Sequence, residues 1–192
     1  MLEVHPVTAD RWKELAAFFG PSGAFAHCWC TWWRQTGAEF SKGEAEGGVG
    51  NRELMHKIVR AGSEPGLLAY RDGQPVGWIS VAPRPQYGRI IRSRRIGPEP
   101  EDAAKEQIWS VVCFWIPRKE RGKGVANALL KGAVEHARAR GAAVLEAYPV
   151  DTSDGRQPAA NLFTGTLAMF KRAGFREVDR PTGSQLVMRR DL

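Results

Sequence analysis

The chain has 192 residues, 43% hydrophobic and 26% charged, with 28 Lys and Arg against 21 Asp and Glu, hence a formal charge of +7 and a pI near 9.7. These figures fit one globular unit with a buried core and exclude wholesale disorder, and the positive balance favours acidic partners such as phosphates without choosing among them. No apolar stretch has the length of a signal core or a membrane span, and Cys28, Cys30 and Cys113 make no disulfide framework, so a cytoplasmic protein with reduced thiols is expected.

Residues 2–7 form the first predicted strand. Asp10 then precedes RWKELAAFF, where Trp12, Leu15, Ala16 and Phe19 recur at helical spacing. The stretch HCWCTWWRQTGAEFSKGEAEGG is expected to be irregular, an aromatic cluster running into a polar, glycine-rich loop. Asn51 is expected to cap a helix through RELMHKIVRAG, with Leu54, Met55, Ile58 and Val59 on one face and Gly62 beyond its end. GLLAYRDGQPVGWISVAP reads as a hairpin turning at Asp72-Gly73.

PRPQYGRIIRSRRIGPEPEDAAKE, with its prolines and mixed charge, is expected to be a long exposed excursion. Its Arg84, Arg89, Arg92, Arg94 and Arg95 could meet nucleic-acid phosphates. No nucleic-acid module surrounds them and the acidic EPED follows, so a solvated loop near a substrate entrance is the better reading. IWSVVCFWI is the best candidate for a central buried strand. The helix after RGKG carries Val125, Leu129, Leu130, Ala133, Val134 and Ala137 on one stripe and closes at Gly141.

VLEAYPV is a further strand, followed by a loop, DTSDGRQPAAN. A helix over Thr164 to Arg172 ends at Gly174, and FREVDRP and QLVMRRDL close the chain as strands around a Pro-Thr-Gly turn. The order is mixed α/β, its centre a strand–loop–helix–strand unit.

That unit contains the oddest six residues in the chain, RGKGVA, Arg121 to Ala126. A helix start presents backbone N–H groups without partners and partial positive charge. Gly122 and Gly124 let an anion approach that backbone, and Arg121 and Lys123 add cations, so a phosphate or pyrophosphate seat is expected. A basic surface turn is the competing reading. A Walker loop would need Ser or Thr where Val125 stands, and a dinucleotide fingerprint would need a third glycine where Asn127 stands.

R-x-x-G-x-G/A is matched in full by Arg121-Gly122-Lys123-Gly124-Val125-Ala126, which resembles the acyl-CoA pyrophosphate loop of the GNAT N-acetyltransferase superfamily. The likeness extends over most of the chain. EVHPVTADRWKELAAFF is similar to that family's first strand and helix, LAYRDGQPVGWISVAP to its second and third strands, and MFKRAGF to its closing helix. The resemblance implies one GNAT domain over residues 1–192, with a mixed, mostly antiparallel central sheet splayed at its middle and helices on both faces. It implies acetyl-CoA as cosubstrate, with no metal. It places the pantetheine arm on the backbone of Phe114, Trp115 and Ile116, and the pyrophosphate on Arg121, Gly122, Lys123, Gly124, Val125, Ala126 and Asn127.

Amine acetylation needs a deprotonated amine, a stabilised oxyanion and a departing thiolate. Glu146, in VLEAYPV, is the candidate general base: burial among apolar neighbours would raise its pKa toward neutrality, and the strand is similar to the LEV strand of ribosomal-protein alanine acetyltransferases. A carboxylate paired with one of the many arginines is the competing reading. Where the superfamily often has an acidic tyrosine, this chain has Phe170. Tyr148 lies two residues beyond Glu146 on the same strand face and is the substitute acid suggested by alternation alone. Trp29, Trp32 and Trp33 are candidates for the acceptor pocket, with core packing as the alternative. His27, Cys28 and Cys30 lack a fourth ligand for a metal.

The expected protein is therefore an acetyl-CoA-dependent N-acetyltransferase acting on a primary amine of a small molecule or peptide. The alternative is a non-catalytic acyl-CoA-binding GNAT module. No membrane partner is expected, nucleic acid is disfavoured, and a homodimer is left open.

Overall fold

A computed structural model describes residues 1–192 except 154, 156, 182 and 183 and the side chains of 159 and 160; the predicted Pro-Thr-Gly turn lies in part outside the described residues. One seven-stranded sheet runs in the order β1-β2-β3-β4-β5-β7-β6. Its strands are β1 Leu2–Pro6, β2 Gly66–Arg71, β3 Gln74–Pro83, β4 Ile108–Trp115, β5 Val144–Ala147, β6 Arg176–Asp179 and β7 Val187–Asp191. Every neighbouring pair is antiparallel except β4–β5. The helices are α1 Trp12–Phe19, α2 Gly37–Arg60, α3 Gly88–Ile91, α4 Val125–Ala139 and α5 Leu167–Arg172.

The β2–β3 hairpin turns on Asp72 and Gly73, both at positive φ (51° and 73°), as the Asp-Gly pair predicts. The parallel β4–β5 pair needs a crossover, and α4 supplies it. Val125, Leu129, Leu130, Ala133, Val134 and Ala137 of α4 are all buried in the main core, each contributing about 1.5–3 kcal/mol relative to an exposed position for its larger members. Gly77 of β3 makes the close approach possible, because a Cβ there would stand 2.5 Å from Val125 Cγ1. The other face of the sheet packs α1 through Trp12, Leu15 and Phe19, α2 through Met55 and Val59, and Trp78 from β3.

Three local expectations are corrected. Residues 37–50 are not an open loop: α2 begins at Gly37, with Thr36 and Glu39 forming a reciprocal capping box. Its backbone leaves helical geometry only at Ala45–Gly48, where the glycines stand. Asn51 caps nothing, being buried inside α2, where its amide accepts from Gln35 and donates to the His27 carbonyl. The excursion after β3 is not wholly exposed, since Arg84, Tyr87, Ile90 and Ile96 are buried beneath it. Between α1 and α2, Ala24, Ala26, His27, Trp29 and Cys30 all take positive φ, a left-handed run that L-residues rarely sustain and that packing of Trp29 and Cys30 into the core holds in place. Among the described residues no helix is long and apolar enough to cross a membrane.

Candidate active site

The RGKGVA loop ends in the geometry that an anion seat requires. Gly122 and Gly124 lie at φ 76° and 79°, and a Cβ at either would meet no atom within 4 Å, so the glycines answer backbone conformation and leave the space in front of them open. Gly124 is the N-cap of α4, and no side chain caps the helix. The first-turn N–H groups of the fifteen-residue helix are thus left for a ligand or solvent. Lys123 Nζ is 3.7 Å from Glu120, which also holds Arg71. Arg121 is committed elsewhere: its Nε donates to the Ile116 carbonyl at 3.0 Å and ties the loop to the end of β4.

Beside this loop the sheet parts. The β4–β5 ladder runs from Ile108↔Val144 to Val111↔Ala147, while β4 continues to Trp115. Phe114 and Ile116 stand on the edge so released. Part of that edge is used internally: the Phe114 N–H donates to the Phe163 carbonyl at 2.6 Å, and the Ile116 carbonyl accepts from Arg121. Trp115 instead pairs with Trp78 of β3.

Glu146 does not sit among apolar neighbours. On β5 it lies opposite Ser110 of β4 and Arg189 of β7. Arg189 Nε donates to its Oε2 at 2.7 Å, and Arg84 Nη1 reaches both oxygens at 3.2 and 3.3 Å. The Tyr148 hydroxyl donates to Oε1 and lies 3.1 Å from Ser110 Oγ. Glu146, Arg84, Ser110 and Tyr148 are all buried. Burial first, and then the Glu146 charge, hold the Tyr148 phenol well above the usual tyrosine range, so it stays protonated. Sequence reasoning paired Glu146 with Tyr148 through alternation but missed Ser110, Arg84 and Arg189. Ser110 and Arg189 are visible only once strand register is known, and Arg84 approaches from outside the sheet.

The three tryptophans divide. Trp29 is buried in the core against Trp12 and Phe19, as the packing alternative expects, and does not line the cavity below. Trp32 and Trp33 instead line a cavity of 460 Å³, with Arg89, Arg92 and Arg95 from the excursion and Gln185 before β7. Two staples build it. Arg89 Nε donates to the Trp32 carbonyl with its guanidinium 3.6 Å over the Trp32 ring, and Arg34 donates to Gln86 while lying 4.6 Å over the Tyr87 ring. Trp33 and Ile96 also belong to the cluster that contains Tyr148 and Val112, so the cavity backs onto the sheet near the β4–β5 parting. A cavity of about 620 Å³ elsewhere, lined by Glu3, Glu14 and Tyr70 among others, includes none of the predicted site residues.

Phe170, at the expected tyrosine place, is fully buried against Phe114 and Phe175 and can give no proton. Cys30 Sγ lies 3.4 Å from Cys113 Sγ, and burial pushes the Cys28 thiol up to about 12. Among the described residues no three His, Cys, Asp or Glu side chains converge as a metal site would need.

The profile of the Acetyltransferase (GNAT) family matches residues 28–175. No curated protein is similar to the chain in sequence. Among solved structures it is similar to the PaiA N-acetyltransferase of Thermoplasma acidophilum in complex with coenzyme A (15% identity, 100% of this chain and 99% of that one, TM-score 0.54). It is similar also to the ribosomal-protein-alanine N-acetyltransferase of Brucella melitensis (20% identity, 99% of each chain, TM-score 0.55). A third is the Drosophila melanogaster polyamine N-acetyltransferase (12% identity, 100% of each chain, TM-score 0.57). At these identities the likeness is one of fold.

Proposed function

Since the chain belongs to the Acetyltransferase (GNAT) family and is an acetyl-CoA-dependent acetyltransferase, we propose that it acylates a primary amine of a small molecule or peptide bound in the Trp33–Arg92 cavity. The observation that carries this reading is the uncapped start of α4, with its two open glycines, next to the edge where β4 leaves β5. Gly122, Gly124 and the N–H groups of Val125, Ala126 and Asn127 would take the pyrophosphate, with Lys123 beside them and Arg121 fixing the loop. The Phe114–Ile116 edge would take the pantetheine arm, which must share or displace the Phe163 carbonyl.

Acetyl-CoA supplies an activated thioester whose thiolate leaves readily without help. The chain must position a neutral amine. Among the described residues lining the cavity none is acidic and none is histidine, so the proton leaves to water. Glu146 and Tyr148 act as one buried hydrogen-bonded unit that fixes the floor beneath the cavity, in place of separate base and acid.

A non-catalytic acyl-CoA-binding module is the second reading, favoured by Phe170 and by the commitment of the Tyr148 proton to Glu146. Calorimetric titration with CoA, with thiol release from acetyl-CoA followed over a panel of primary amines, separates the two. Binding with amine-dependent release is expected. Binding without release from any amine would leave the module reading, and no binding at millimolar CoA would end both.

A further inference from the structure

The cavity lined by Trp32 and Trp33 has a one-sided chemistry. Arg89, Arg92 and Arg95 line it, and among its described lining residues there is no Asp or Glu to balance them. Its neutral groups lean the same way. Trp33 Nε1 and Arg89 Nη2 are buried donors with no hydrogen-bond partner in the protein. Ser93 Oγ accepts from the Arg95 and Ile96 amides, which leaves its hydroxyl proton to donate. Glu39, whose carboxylate feels the Arg92 charge from outside the lining, is held by the α2 cap, accepting from both the Thr36 amide and the Thr36 hydroxyl. Burial, followed by the Arg92 charge, pulls the Arg89 guanidinium below its ordinary value, as expected where cations crowd together.

A buried donor without a partner is costly, and a folded chain tolerates it where a ligand supplies the missing acceptor. Two such donors and two exposed arginines around one cavity suit planar oxygen anions, which Arg grips bidentately. A polyamine, cationic at both ends, would be repelled by the same surface. We infer that the acceptor amine carries its own anionic oxygen group, a carboxylate or phosphate, which Arg89, Arg92 and Arg95 hold while the Trp32 and Trp33 faces cover the carbon chain between anion and amine. The inference rests on the acetyl-transfer reading for the amine and not for the anion.

The test compares 4-aminobutanoate, its methyl ester, 3-aminopropyl phosphate and 1,4-diaminobutane, in thiol release from acetyl-CoA and in thermal shift of the full chain. The acid or the phosphate should exceed ester and diamine in kcat/KM by about 10- to 100-fold, the worth of one or two charge-assisted hydrogen bonds. Which of the two leads identifies the anion. The paired variant Arg92→Gln with Arg95→Gln should remove that advantage by raising the acceptor KM, while the KM for acetyl-CoA stays put. A diamine or ester equal to the acid and the phosphate, or a paired variant that keeps the preference, overturns the inference and leaves acetyl transfer standing. Thermal stabilisation by the acid or phosphate, lost in the paired variant, with no turnover of any amine, upholds the anion site and removes acetyl transfer. Neither turnover nor stabilisation by either anion overturns the inference.

Discussion

Arg84 and Glu146 are 62 positions apart in the chain, yet Arg84 Nη1 stands 3.2 Å from Glu146 Oε2 with both side chains buried. The pair joins the excursion after β3 to the middle of the sheet. It is completed by Arg189 and by the Asp102 carbonyl, which accepts from Arg84 Nη2. Removing one partner of such a pair leaves an uncompensated buried charge, which costs about 3–5 kcal/mol. Glu146→Gln should therefore lower the denaturation midpoint by that order, and Arg84→Met should do the same. A base would behave otherwise: kcat would fall by about 10²–10⁴-fold with the fold intact and recover at high pH. Chemical denaturation together with a pH–rate profile on Glu146→Gln decides between them, and a stable variant with the second signature would restore Glu146 as the base.

Gly124→Val should weaken acetyl-CoA binding by at least about 10-fold while the fold survives. A Cβ there meets nothing within 4 Å, so the expected penalty is backbone strain of about 1–3 kcal/mol at φ 79° together with a blocked approach to the helix start. Calorimetric titration with CoA reads the affinity and a melting curve reads the fold. Unchanged affinity would remove the loop from the cofactor seat.

The tryptophans should separate cleanly. Trp29→Ala empties a core site and should cost about 3–5 kcal/mol. Trp32 is 37% exposed and faces the cavity, so Trp32→Ala should leave the melting temperature nearly unchanged and raise the acceptor KM. Equal destabilisation by both would make Trp32 a packing residue.

Asp151 gives a pH dependence whose sign is fixed. The Ser153 amide first, and then Arg180, lower its carboxyl to about 2. A depressed carboxylate contributes stability in full above its unfolded value near 3.8, and that contribution is lost as pH falls from there toward about 2. Stability measured between pH 5 and pH 2 should fall less steeply in Asp151→Asn than in the parent (window set by the unfolded and folded values). Identical slopes would mean that the Asp151–Arg180 contact does not persist in solution.

What the chain declares about itself depends on how local the cause is. The α4 stripe is legible because six buried positions recur at helical period with a glycine stop, and all the information lies within seventeen residues, Val125 to Gly141. The Asp72-Gly73 turn is legible for the same reason. The start of α2 carried its signal in Thr36 and Glu39, but glycines 43, 47, 48 and 50 outweighed it, since flexible residues argue for a loop until packing overrules them. Arg84 reads as solvated because its partner Glu146 is remote in sequence. Trp29 and Trp32 look alike in the letters, and only the left-handed turn between α1 and α2 sends one into the core and the other to the cavity.

The parting of β4 from β5 bears on how such a protein can change over generations. The slot proposed for the cofactor comes from backbone: a parallel ladder that stops at Val111↔Ala147, a longer β4, and two glycines before a helix. The cavity proposed for the acceptor comes mainly from side chains of residues 32–37 and 89–96, with Gln185, and is braced by the Arg89–Trp32 and Arg34–Gln86 staples. On that proposal, substitutions in those segments retune which amine is accepted without disturbing how the thioester is held. One half of the site is inherited as architecture and the other drifts as decoration, so relatives sharing the slot need share no acceptor.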